Sequence, residues 1–149
     1  MTVDGPSDRA TTLAGAVSVR GTVSPASATV LVDGRPAAVA GGGFAASVAL
    51  APGMNVIDVL AGARGTTGAM TAVRVYRELP VTVPDLSGAS PSSAVSSLRR
   101  AGLRATVVDV GGFFQSLIPT SSQVCRTSPA AGRSLAPGSV VRVEVAKLC

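Results

Sequence analysis

The alternation of apolar and polar residues between Val17 and Val75 is the feature that most constrains this chain. Val17, Val19 and Val23 fall on alternate positions, Val30 and Val32 follow, and Phe44, Ala46, Val48 and Leu50 keep the same period. Asn55, Ile57, Val59 and Ala61 alternate next, with Asp58 on the opposite face, and Thr71, Val73 and Val75 alternate against Arg74. Period two sends successive side chains to opposite faces of a strand, so this half predicts strands buried on one side. Turn signals separate the runs: Asp33-Gly34, Gly41-Gly42-Gly43, Pro52-Gly53 and the loop from Gly62 to Gly68. Asp-Gly supplies the positive φ that a two-residue hairpin turn demands. Alternating strands with closely spaced turns predict an all-β sandwich of about six or seven strands over residues 15–78. Residues 1–14 are polar and turn-rich and are expected to be a tail or linker.

After Glu78 the pattern changes. Pro80 and Pro84 favour an extended, stiff linker over residues 79–84. Ser90 is a helix N-cap with Pro91 at the first helical position. Ala94, Val95, Leu98 and Ala101 fall at helical spacing, and Gly102 is placed to stop the helix. Strands are expected over 103–110, 123–127 and 139–146, with a loop over 111–122. In the last strand Val141, Val143 and Val145 face one way and Arg142 and Glu144 the other. Residues 85–149 therefore read as a small α+β domain, one helix packed on a three-stranded sheet.

The charge is unevenly divided. Residues 1–78 hold six arginines against five acids, whereas residues 79–149 hold six arginines and Lys147 against three acids, so the net charge is +1 and +4. A basic half attracts polyanions. The basic residues are scattered with no aromatics between them, so nucleic acid is not the expected partner. The chain has no histidine, which excludes Ser-His-Asp and Cys-His nucleophilic sites and histidine metal sites. The acids stand singly, so no pair is placed for acid-base work on one substrate. No catalytic residue, metal ligand or cofactor is expected. Cys125 and Cys149 are too few for a structural zinc site. A disulfide between them, pinning the C-terminal residue, is the better reading than an exposed free thiol, and it implies an oxidising compartment. No apolar run reaches the length of a membrane span, and the opening residues lack the apolar core of a signal peptide. The chain is therefore expected to be part of a longer protein with a signal, lipid anchor or membrane helix upstream.

Two resemblances follow from the residues. The run Gly21-Thr-Val-Ser-Pro-Ala-Ser-Ala-Thr-Val-Leu-Val-Asp-Gly34, with Gly43-Phe44, Gly53-Met-Asn55-Val-Ile57 and the Thr71-Val73-Val75 strand, resembles bacterial immunoglobulin-like domains of secreted and wall-associated proteins. The second half looks like a PASTA domain. Val83-Pro-Asp-Leu86 matches the entry motif and Leu98-Arg-Arg-Ala-Gly-Leu103 the helix end. Ser128-Pro-Ala-Ala-Gly132 matches the signature turn, and Ala136-Pro-Gly-Ser-Val-Val-Arg-Val-Glu-Val145 the closing turn and strand. This resemblance implies an extracellular or cell-envelope module that binds peptidoglycan or another anionic wall polymer, and some secreted members pair cysteines at the two positions seen here. The chain departs from the family at Thr127, where glutamine is frequent, and in the longer loop Gly111-Gly-Phe-Phe-Gln-Ser-Leu117.

The expected ligand contacts are Arg126, Arg133 and Arg104, whose planar guanidinium groups suit carboxylates and phosphates, together with Phe113 and Phe114. The phenylalanines have two readings: a small satellite core over the sheet, or an exposed contact for a partner or sugar ring. The functional expectation is a non-catalytic, monomeric module pair in which the immunoglobulin-like domain presents the PASTA domain. The alternatives are a spacer or docking tail of a secreted enzyme, or the ectodomain of a membrane sensor.

Overall fold

The structure is a computed structural model that describes residues 1–112 and 117–149. The chain divides into two compact units, Met1–Glu78 and Leu79–Cys149.

The first unit contains nine strands: β1 (Thr2–Gly5), β2 (Ala10–Thr12), β3 (Ala16–Thr22), β4 (Thr29–Val32), β5 (Arg35–Pro36), β6 (Ala38–Ala40), β7 (Gly43–Ala49), β8 (Gly53–Gly62) and β9 (Ala69–Arg77). They form a four-stranded sheet in the order β1-β3-β7-β6 and a five-stranded sheet in the order β2-β9-β8-β4-β5. The alternation read from the sequence sets the core. Val19 and Phe44 from one sheet and Val30, Val32, Ile57, Val59, Val73 and Val75 from the other are buried in a single cluster. Each such side chain contributes roughly 1.5–3 kcal/mol of burial. The Asp33-Gly34 turn closes the β4–β5 hairpin, with Val32 opposite Arg35 and both turn residues at positive φ (51° and 73°).

The segment 1–14, expected as a tail, is instead part of this unit. β1 pairs antiparallel with β3, and β2 pairs parallel with β9. Sheet edges present unpaired backbone groups, and this polar segment covers an edge of each sheet. Its short strands carry almost no apolar alternation, which hid them in the sequence. Asp8 adds a specific anchor: its carboxylate accepts from the backbone N–H and the guanidinium of Arg74. Gly21 is what lets β1 approach. A Cβ there would lie 2.0 Å from the Thr2 carbonyl oxygen and 2.7 Å from the Phe44 ring.

The second unit contains β10 (Val81–Thr82), α1 (Pro91–Arg100), β11 (Arg104–Asp109), β12 (Gln123–Ser128), β13 (Ser134–Leu135) and β14 (Val140–Ala146). β14 lies between β11, which is parallel to it, and β12, which is antiparallel. Helix α1 begins where expected: Ser90 caps it by accepting the Ser93 N–H, and Pro91 opens it. Ala94 and Leu98 of the helix pack with Val124, Val141, Val143 and Val145 in the core. The expected linker 79–84 is not free of structure. Val81 and Thr82 pair with β13, and Val83 is buried. The Val83 N–H donates to the Arg133 carbonyl, and the Val83 carbonyl accepts from Gly132, so the signature turn clamps the entry motif. Two prolines made this segment look extended. It is extended, but as strand and core rather than as connector.

Cys125 and Cys149 form the expected disulfide, with their Cα atoms 5.3 Å apart. It ties the end of the chain to an irregularity in β12, where the register shifts between Val124 and Arg126.

Candidate ligand-binding face

Helix α1 covers one face of the β11-β14-β12 sheet, and the other face carries the polar residues. β14 decides this. Val141, Val143 and Val145 are buried toward the helix, so Arg142 and Glu144 point away from it. Residues opposite one another in register share a face. Thr106, Arg142 and Ser128 therefore form one row across the open face, and Val108, Glu144 and Arg126 the next. Arg104 stands in the row before, opposite Val140.

Glu144 is the centre of the arrangement. Arg126 places Nε 3.1 Å and Nη2 3.0 Å from Glu144 Oε2, and Arg142 places Nη2 3.5 Å from Glu144 Oε1. The glutamate side chain is 15% exposed, whereas Arg126 is 76% and Arg142 54% exposed. A largely buried carboxylate thus roots two guanidinium groups that reach into solvent. Exposed ion pairs of this kind add at most about 1 kcal/mol of stability. What they fix is direction, since a planar guanidinium held on one edge keeps its remaining N–H donors in a set plane. Three arginines against one carboxylate leave the face positively charged.

The expected ligand residues divide accordingly. Arg126 and Arg104 lie on this face. Arg133 does not: it sits in the turn between β12 and β13, where its N–H donates to the Ala130 carbonyl. Arg142 belongs to the face too, and its position on β14, opposite in parity to the buried valines, is the sequence signal for it. Phe113 and Phe114 lie outside the described residues. Beyond them, the Ile118 carbonyl accepts from Lys147 Nζ at 2.8 Å, which fastens the end of that loop to the segment after β14.

A cavity of about 190 Å³ adjoins the face, along the outer edge of β12. The entry segment is stapled at Val83 and again at Gly88 and Ala89, which exchange hydrogen bonds with Val124. Between these points it bows away, and Asp85, Ser87, Arg126, Thr127 and Ala130 line the gap. The Ser87 backbone N–H (3.1 Å) and hydroxyl (2.8 Å) both donate to Asp85 Oδ1, and they hold the Asp85 carboxyl below the usual carboxylate range. The first unit has a cavity of about 260 Å³ between the β4–β5 hairpin and β7, with Asp33 and Arg35 as its charged residues. Among the described residues no group of three His, Cys, Asp or Glu could hold a metal ion, and no helix is long and apolar enough to cross a membrane.

Two family models match the chain: one described as glucodextranase, domain B, over residues 1–76, and one described as PASTA domain, over residues 81–147. No curated protein matches it.

Proposed function

The chain belongs to the glucodextranase domain B family through its first unit and carries a PASTA domain as its second, and from that premise we propose that it is a non-catalytic module pair of the cell exterior or envelope. The second unit binds peptidoglycan fragments or a similar anionic wall polymer on the open sheet face, and the first unit acts as its spacer. The observation that carries this reading is the pair Arg126 and Arg142 rooted on Glu144. Fixed guanidinium planes suit the carboxylates of wall peptides and the phosphates of wall polymers. The Cys125–Cys149 disulfide supports the oxidising location.

An open, shallow face should bind weakly, with a dissociation constant near or above roughly 100 μM. NMR titration of the whole chain with muropeptides at low salt is the test. Amide shifts are expected in β11, β12 and β14, and Arg126→Ala and Arg142→Ala should weaken binding more than Arg35→Ala in the first unit. The electrostatic share should fall as salt rises. If no amide of residues 83–149 shifts at millimolar ligand, the second reading takes over: a spacer or docking tail of a secreted enzyme. That reading draws on the first unit, whose matching family is named for a domain of the enzyme glucodextranase.

A further inference from the structure

Strand β7 has a partner along its whole length on one side and along only part of it on the other. β3 pairs with it from Gly43 to Ala49 without a break in register. β6 runs beside it only from Ala40 to Ala38, the latter opposite Ala45. From Ala46 to Ala49 that edge has no strand beside it among the described residues, and the cavity of about 260 Å³ lies there. All residues from Ala45 to Ala49 line it. Side chains of a strand alternate between faces, so a run of consecutive residues lines a cavity when the cavity flanks the strand's edge. Val32, Arg35 and Pro36 of the β4–β5 hairpin form the opposite wall. The Leu50 N–H, which donates to the carbonyl of Gly15 just before β3, fixes the phase of the ladder. Backbone groups of an antiparallel strand turn alternately to its two neighbours. Leu50, Val48 and Ala46 therefore face β3, and the N–H and C=O groups of Ser47 and Ala49 face the cavity. Among the described residues none of these groups has a hydrogen-bond partner.

We propose that this edge takes up an extended segment of another polypeptide as an added strand, continuing the line of β6, with an apolar side chain at each inward position. Backbone chemistry is the first argument. N–H and C=O groups that repeat at every second residue are matched by another extended backbone. The core is the second. Phe44, which has Val39 of β6 opposite it, is 4% exposed. Ala46 and Val48 share its parity and pack against the same core, yet they are only partly buried. They lack the cover that Val39 gives Phe44, and an incoming strand sets an inward residue opposite each. The third argument is what guards the edge. Sheet edges are ordinarily blunted by charge, proline or a bulge, and Ala45-Ala46-Ser47-Val48-Ala49 has none of these. The cavity suits other ligands less well. Its volume is below the roughly 300 Å³ at which small-molecule sites begin, and no aromatic ring lines it for a sugar to stack on. Its charged residues, Asp33 and Arg35, are opposite in sign, so no polyanion is favoured. The hairpin wall leaves room for a single strand, whereas the edge of a second copy carries a hairpin of its own.

The probe is the acetylated and amidated peptide Lys-Thr-Val-Thr-Val-Thr-Lys, whose valines take the inward positions and whose threonines pair with Ser47 and Ala49. NMR titration of the whole chain to about 2 mM peptide should give a dissociation constant between roughly 100 μM and 1 mM. The shifts should centre on residues 45–49, and exchange of the Ser47 and Ala49 amide protons with solvent should slow. N-methylation of the threonines removes the peptide's donors and should weaken binding about tenfold or more, with the protein unaltered. Ser47→Pro deletes one N–H at the open edge and none of the ladder to β3. It should weaken binding about fivefold while the thermal midpoint of the first unit holds. The proposal falls if residues 45–49 do not shift at the highest peptide concentration, or if the N-methylated peptide binds as well as its parent. It falls too if the same amides shift with protein concentration alone, which would make a second copy the occupant.

Discussion

The two units solve the same problem, a small core, in different ways. In the first, two sheets close on twelve buried apolar side chains among the described residues, and no covalent link crosses them. In the second, one helix covers three strands over nine, and a disulfide holds Cys149, beyond the end of β14, to Cys125 of β12. Domains of this length bury a modest fraction of their surface. The difference suggests where each unit is vulnerable: the first at the close approach of its strands, the second at its cross-link.

The largest effect expected from this contrast is on reduction. Opening a loop of 24 residues removes about 3 kcal/mol, which for a unit of this size lowers the thermal midpoint by about 15 °C. Calorimetry of the whole chain with and without reductant should show one transition moving and the other holding. Movement of both would mean that the units do not unfold independently, and the contrast between them would fall.

The converse change acts on the first unit. Gly21→Ala drives a methyl group into the Thr2 carbonyl and the Phe44 ring, and relief requires β1 to lift or Phe44 to turn out of the core. We expect a loss of about 2 kcal/mol. The chain has no tryptophan and its only tyrosine is Tyr76, so tyrosine fluorescence during urea unfolding reports the first unit alone. A midpoint unchanged from wild type would show that β1 contributes nothing to this sandwich.

These two positions also show what the sequence could and could not convey. The long strands were legible because their valines alternate and burial follows alternation. The helix was legible because Ser90 and Pro91 mark its start chemically. β1, β2, β10 and β13 were not, since each is two to four residues long, too short for any period to register. They exist because neighbouring edges and the Val83 clamp hold them. The candidate face was half legible. Arg126 and Arg142 could be placed on strands, but Glu144 as their organiser depends on which residue of β14 stands opposite Arg126, and the shift in β12 register sets that.

The smallest expected effect sharpens the comparison, because each unit holds one carboxyl below its ordinary range by a different means. Asp8 is lowered to about 2, first by the side-chain hydrogen bond from Arg74, then by the Arg74 backbone N–H, with the charges of Arg74 and Arg9 adding to it. Asp85 is lowered by the backbone N–H of Ser87 and then by its hydroxyl, neutral donors both. In each case the folded value lies below the ordinary 3.8, so the ionised carboxylate favours the fold. The contribution is complete above that ordinary value and is lost as pH falls through the folded one. For Asp8 the window runs from about pH 4 down to about 2. Both groups are open to solvent, so the pH dependence of stability should be shallow. Salt separates the two. Screening weakens the part of the Asp8 anchor that comes from charge, and hardly touches donors without charge. Carboxyl chemical shifts followed through an acid titration, at low salt and at about 1 M sodium chloride, should therefore show the Asp8 midpoint rising with salt and the Asp85 midpoint staying in place. A rise of equal size at both would mean that the field of the basic second unit, rather than Ser87, holds Asp85 down.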